Sequence, residues 1–213
     1  MEIHVWSDVV CPWCYLGKKR LEMALADYRG DAKVTYRAYQ LDPSPVPRGL
    51  PIKQAMAEKF GGAQRAEQMF AHVAEIAAGD GLHLDFDRAI AANTFDAHRL
   101  IRWAAGQVRQ SEMLGALQRA HFADGVDLGS PEALAAVAGS IELDPEAALD
   151  YLRSEAGTEA VNVDLAEARA LAITSVPTFV IDGKYAVQGA QEVAALVEAF
   201  EEITRREAVE AGL

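Results

Sequence analysis

Cys11 and Cys14 are the only cysteines in a chain of 213 residues, and they stand in the run Cys11-Pro12-Trp13-Cys14. On a helix this spacing puts two thiols one turn apart, so a thiolate on one can attack a disulfide and the other can resolve it. Three other readings compete. A zinc site needs two further ligands, and the remaining histidines and acids are scattered without paired spacing, so no metal-ligand set is read. A structural bridge closing so short a loop adds little to global stability, and in a reducing compartment a lone pair at this spacing is more often catalytic. An inert pair of buried thiols stays open on the pattern alone.

If a helix starts at Cys11, the free amides and positive dipole at its N-terminus favour a thiolate there. The more exposed Cys11 is then the nucleophile, and Cys14, one turn further in, is the resolving thiol. Pro12 falls where a helix tolerates the loss of an amide. Trp13 is expected to be partly exposed, offering its ring to an apolar substrate surface or packing over neighbouring structure. Asp8, just ahead of the pair, is a candidate proton acceptor; a loop carboxylate held by nearby amides is an equal alternative.

The elements that must position these residues are legible on either side. Ile3-His4-Val5-Trp6 alternates like a short strand and runs into the cysteines. Leu16, Leu21 and Leu25 repeat at helical spacing up to a stop at Gly30, and Lys33 to Leu41 reads as a second strand. This β-α-β start favours a parallel pair. A loop with Pro43, Pro45, Pro47, Gly49 and Pro51 excludes ladder and helix interior. From Ile52 to about Leu171 nearly everything reads as helix, with caps at Ser130-Pro131-Glu132 and Asp144-Pro145-Glu146; only Leu82 to Phe86 has an extended pattern. Thr178 to Ile181, Asp182-Gly183 and Lys184 to Val187 form a hairpin signal with a type I′ turn, and Gly189-Ala190-Gln191 is expected to open a closing helix. The expected fold class is α/β: a thioredoxin-like β-α-β … β-β-α unit, residues 1–45 and 172–213, interrupted by a mainly helical insertion domain, residues 46–171.

The composition narrows the function. A formal net charge of −12 repels phosphate backbones and anionic membrane surfaces, so neither nucleic acid nor membrane is an expected partner. With 51% apolar and 24% charged residues the chain matches ordinary folded domains. No run approaches the roughly 20 apolar residues that span a bilayer, and Glu2, His4 and Asp8 stand where a leader has a basic start. A cytoplasmic location is the expectation, unless a leader precedes the chain.

A second feature ties the two ends together. Cys-x-x-Cys after a first strand, with Ser175-Val176-Pro177-Thr178 before a late hairpin, resembles the thioredoxin superfamily. More narrowly, Cys-Pro-Trp-Cys-Tyr-Leu-Gly, Asn93-Thr94-Phe95-Asp96-Ala97-His98-Arg99 and Gln188-Gly189-Ala190-Gln191 resemble the DsbA-like FrnE group, related to hydroxychromene carboxylate isomerases and kappa-class glutathione transferases. The resemblance covers nearly the whole chain. It implies a cis bond at Pro177, a loop lying against the thiols, and a Val176 backbone offered to extended substrate. It also implies a thiol–disulfide oxidoreductase acting on protein or small-molecule disulfides, with Pro12, Trp13, Val176 and Pro177 at the substrate.

In the isomerases and transferases a serine typically stands where Cys11 stands here, which favours redox exchange. The alternative is a glutathione-dependent isomerase or transferase acting on a small aromatic or polyketide-like substrate. No cofactor is required; glutathione is a candidate thiol co-substrate, a homodimer is a candidate assembly, and the electron donor or acceptor is left open. Asn93 or Thr94 is read as a helix cap, and His98 as a packing residue between insertion and core, with a proton shuttle or ligand contact as the alternative.

Overall fold

A computed structural model describes residues 1–210 and 212. The chain runs β1 (Glu2–Ser7), α1 (Pro12–Asp27), β2 (Lys33–Ala38), α2 (Ile52–Lys59), α3 (Ala63–Gly79), α4 (Phe95–Ala105), α5 (Gln110–Phe122), α6 (Pro131–Ser140), α7 (Pro145–Arg153), α8 (Thr158–Ala170), β3 (Thr178–Ile181), β4 (Tyr185–Gln188) and α9 (Val193–Glu210). The four strands lie in the order β2-β1-β3-β4. β1 pairs parallel with β2, as a strand–helix–strand crossover requires, and antiparallel with β3, which pairs antiparallel with β4. This is the α/β thioredoxin-like arrangement with a helical insertion between β2 and β3.

Local chemistry accounts for most boundaries. α1 starts with extended Cys11 at its N-cap and Pro12 in the first turn, and ends when Tyr28 turns extended, two residues before the expected stop at Gly30. Ser130 accepts a hydrogen bond from the Ala133 amide, and Asp144 from those of Glu146 and Ala147, so both expected caps form. At α4 the expected capping divides between neighbours: Thr94 occupies the N-cap without a side-chain bond, while Asn93 Oδ1 accepts from the Phe95 amide at 3.0 Å.

Four expectations are corrected. β2 stops at Ala38, three residues before Leu41, because tertiary partners take the next backbone groups: Leu41 N–H donates to Asp8 Oδ2 at 2.8 Å, and the Tyr39 carbonyl lies 2.9 Å from His98 Nε2. The segment Leu82 to Phe86 forms no strand; Leu84 and Phe86 are drawn into an apolar cluster, where Phe86 stacks on Phe70. In the hairpin, Asp182 and Gly183 take positive φ (49° and 67°) and Lys184 N–H donates to the Ile181 carbonyl, as a type I′ turn demands. Lys184 nevertheless belongs to the turn, because the register pairs Ile181 with Tyr185. Gly189 to Gln191 precede α9 instead of opening it, since the Gly189 amide is engaged by the Pro177 carbonyl at 2.8 Å.

Buried residues of the sheet and α1 (Ile3, Val5, Leu21, Phe179) join those of the insertion (Leu100, Met113, Leu117, Leu134) in one cluster. A smaller cluster of Trp6, Cys11, Cys14, Ala168, Ile173 and Val176 sits under the cysteines. α1 reaches the loop before β3 through Gly17: a Cβ there would stand 2.7 Å from Pro177 Cγ and 3.6 Å from Phe179 Cζ. Gly17→Ala therefore sets a helix-propensity gain of about 1 kcal/mol against an overpacking cost of about 1–3 kcal/mol. The expected outcome is a lower urea midpoint; a stabilised variant would contradict the contact.

Candidate active site

The strand–turn–helix start places Cys11 where β1 has ended and α1 has not yet begun. Its φ and ψ are −89° and 116°, its carbonyl accepts from the amides of Cys14 (3.0 Å) and Tyr15 (3.2 Å), and its own amide donates to the Asp8 carbonyl. No acidic side chain lies in the first turn of α1, where it would oppose a thiolate at Cys11. Cys11 Sγ lies 4.0 Å from the Val176 carbonyl oxygen. Both cysteines are free thiols.

Cys11 is 4% exposed and Cys14 1%, so the difference in exposure expected from the sequence is small. Trp13, at 38%, is the open member of the motif, and Pro12 is half-buried. The Cys14 thiol is pushed well up by burial and then by neighbouring Cys11, while the Asp8 backbone and the Ser7 hydroxyl beside it pull the other way. Cys14 is held as a thiol until something removes its proton.

Across from the cysteines, the Val176–Pro177 peptide bond is cis and both residues are buried. The loop is pinned from both sides: Gly189 N–H donates to the Pro177 carbonyl, and Thr178 Oγ1 to that of Ser175 at 2.7 Å. Cys11, Cys14, Val176 and Pro177, far apart in sequence, are thus brought together.

Asp8 is 1% exposed; one oxygen accepts from Leu41, and the other stands 3.4 Å from His98 Nε2, which also bonds the Tyr39 carbonyl. Together Asp8 and His98 fix the chain leaving β2 and join α4 to the active-site turn. Other members of this surrounding layer carry no motif. Asp164 on α8 is fully buried, accepting from Arg37 (2.9 Å) and the Ala38 amide (3.1 Å), and its carbonyl accepts from Trp6 Nε1. Gln118 and His121 are fully buried on one face of α5. In sequence they are ordinary polar residues of amphipathic helices, and only the tertiary fold reveals their place.

Among the described residues no group of three or more His, Cys, Asp or Glu side chains is gathered to hold a metal ion, and no helix is long and apolar enough to cross a membrane. Beside the active-site turn a cleft of about 500 Å3 opens between α2 and the proline-rich loop, with Asp8 and Val10 at one edge and Leu50, Ile52, Met56 and Phe60 among its apolar walls.

A family model described as the DSBA-like thioredoxin domain matches residues 2–201. The chain belongs to that family. Among solved structures, it is similar to a probable DsbA oxidoreductase from Streptomyces coelicolor, with 33% identity, a TM-score of 0.88, and coverage of 95% of this chain and 89% of that one. It also shares the fold of a 2-hydroxychromene-2-carboxylate isomerase, with a TM-score of 0.71 at 18% identity and coverage of 98% of each chain. The uncharacterised Bacillus subtilis (strain 168) protein YwbO is 26% identical over 205 residues, spanning 89% of this chain and 90% of its own length. For a DSBA-like domain the cysteine pair at the start of α1, facing the cis-proline loop, is the natural centre of interest.

The buried His121 gives this DSBA-like domain a definite acid response. Burial pushes its imidazole from the ordinary 6.5 down to about 4, with the Asp8 carboxylate countering part of the shift. Between those values the unfolded chain binds the proton more readily than the folded one, so stability falls as pH drops through the window. At pH 5 the loss relative to neutral pH is about 2 kcal/mol from this residue. Urea midpoints at pH 7 and pH 5 should show that loss in the wild type and a much smaller one in His121→Leu; equal losses would refute the assignment.

Proposed function

We propose that the chain is a thiol–disulfide oxidoreductase that exchanges its Cys11–Cys14 pair with disulfides of proteins or small molecules. The observation that carries the reading is the asymmetry of the two sulfurs. Cys11 stands at the free N-terminus of α1 facing the Val176 carbonyl, whereas Cys14 is buried one turn behind it with its thiol pushed up. Cys11 as thiolate attacks one sulfur of the substrate disulfide, forming a mixed disulfide and releasing the other as thiolate. Cys14 then attacks Cys11 Sγ, closing the intramolecular disulfide and releasing the second substrate thiolate, so the substrate gains the two electrons the pair loses. Run backwards, the same steps oxidise a dithiol. The finer likeness to the FrnE group belongs to the same proposal, as does substrate backbone lying along Val176 with Pro12 and Trp13 at its side.

A second reading is favoured by one observation. The apolar cleft beside the turn has the volume of a small-molecule site, and the fold is shared with a 2-hydroxychromene-2-carboxylate isomerase. In that reading the chain is a glutathione-dependent isomerase or transferase, with the thiol co-substrate supplying the sulfur.

The Cys variants separate the two. Under the exchange reading Cys11→Ser abolishes reduction of a disulfide substrate, and Cys14→Ser still attacks but stops at a mixed disulfide, seen by mass spectrometry as a stoichiometric adduct. Equal loss without adduct in either variant contradicts the proposal. Turnover of an aromatic substrate that survives Cys11→Ser and needs glutathione favours the second reading.

A further inference from the structure

Gln188-Gly189-Ala190-Gln191, at the end of β4 and ahead of α9, takes no part in the chemistry of the thiols, yet its backbone bonds both the loop before β3 and α1. The Gly189 amide donates to the Pro177 carbonyl at 2.8 Å. One residue on, the Ala190 carbonyl accepts from Arg20 Nη1, also at 2.8 Å. Arg20 lies three residues beyond Gly17 on α1, which puts it on the face that touches Pro177. The helix therefore meets this end of the molecule twice, once through the missing side chain of Gly17 and once through the guanidinium.

Arg20 is buried, and its donors serve three acceptors. Nε reaches Asp80 Oδ2 at 2.5 Å, while Nη1 lies within 2.8 Å of both the Ala190 carbonyl and Glu192 Oε1. Asp80 stands at the C-cap of α3, where the negative end of the helix opposes a carboxylate, and the last turn of α3 carries no basic residue. Arg20 supplies the missing charge from α1. Glu192 precedes α9 and is largely exposed, so its ion pair adds little. Serving these acceptors at once needs a planar fork; a lysine ammonium is a point charge on a flexible stem and does not reproduce it.

We propose that Arg20 is a positioning residue for substrate backbone. Anchored on the insertion by Asp80, it holds the Ala190 carbonyl and so fixes the Gly189 amide that keeps Pro177, and with it Val176, beside Cys11. The inference rests on the exchange reading and on its placement of substrate along Val176. Arg20 lies about 13 Å along the helix axis from Cys11, too far to touch the reacting sulfurs. A loop displaced from α1 weakens docking of an extended peptide before and during attack alike, which raises KM and spares kcat. A disulfide without a peptide backbone has nothing to lose.

Steady-state reduction of two disulfides, with a dithiol recycling the protein, separates this role from a merely structural one. The first is a disulfide-linked dimer of a short unstructured peptide, and the second is bis(2-hydroxyethyl) disulfide, which has no backbone. In Arg20→Lys the KM for the peptide should rise about tenfold, with its kcat and both constants for the small disulfide within about twofold of wild type. Equal effects on the two substrates, or none on either, overturn the proposal. Wild-type protein that reduces neither disulfide fails the exchange reading instead, and amide hydrogen exchange then judges the hold alone. The Gly189 amide should exchange about tenfold faster in Arg20→Lys while the β1 amides keep their protection; an unchanged Gly189 amide overturns it. If Arg20→Lys does not fold, Asp80→Asn, at the half-buried end of the link, replaces it in both measurements, with the same pattern expected at about threefold.

Discussion

The site depends on the close approach of α1 to the loop before β3. Gly17, in the second turn of the helix, lies against the ring of Pro177, and the Gly189 amide and Thr178 hydroxyl hold that loop by donating to the Pro177 and Ser175 carbonyls. With no side chain between them, the helix start and the loop close on each other, and Cys11 Sγ comes within 4.0 Å of the Val176 carbonyl. Everything the cysteines do passes through this contact. It buries both sulfurs, leaves Trp13 as the open face of the motif, and removes Cys14 from water, which favours its neutral thiol.

A layer of buried polar groups lies beneath that contact. Asp8 and His98 tie α4 to the chain leaving β2, and Asp164 ties α8 to the end of β2 and, through its carbonyl, to Trp6 under the cysteines. Buried charges of this kind are weak sources of net stability, because desolvation offsets much of their attraction, but losing one partner leaves the other uncompensated. Their value here is geometric. Each fixes an insertion helix to the strand edge next to the active site, so the insertion and the thioredoxin-like unit share one orientation around the thiols.

How much of this was legible in the sequence follows from where the signals are local. The Cys-x-x-Cys run, Pro12 in the first turn, the Asp-Gly turn and the Ser-Pro-Glu and Asp-Pro-Glu caps act within four or five residues of chain, and each formed where read. The early end of β2 and the late start of α9 arise because Asp8, His98 and Pro177 capture backbone groups from a distance, and the extra turn residue Lys184 because the register pairs Ile181 with Tyr185, neither of which a local pattern encodes. Ser7, Arg37, Gln118, His121 and Asp164 went unread for the same reason: a buried polar residue looks like any exposed one until its neighbours are known. Gly17 sat inside a quoted motif, yet only its distance from Pro177 reveals why glycine is there.

The division of labour between the two sulfurs is the central claim, and native-state alkylation measures it directly. The fully reduced protein is pulsed with iodoacetamide at neutral pH, quenched at intervals, and mapped by peptide mass spectrometry to give a separate rate for each cysteine. The account predicts that Cys11 is modified at least tenfold faster than Cys14, with Cys14 labelled at a comparable rate only after unfolding. Equal rates in the folded protein, or faster labelling of Cys14, would contradict it.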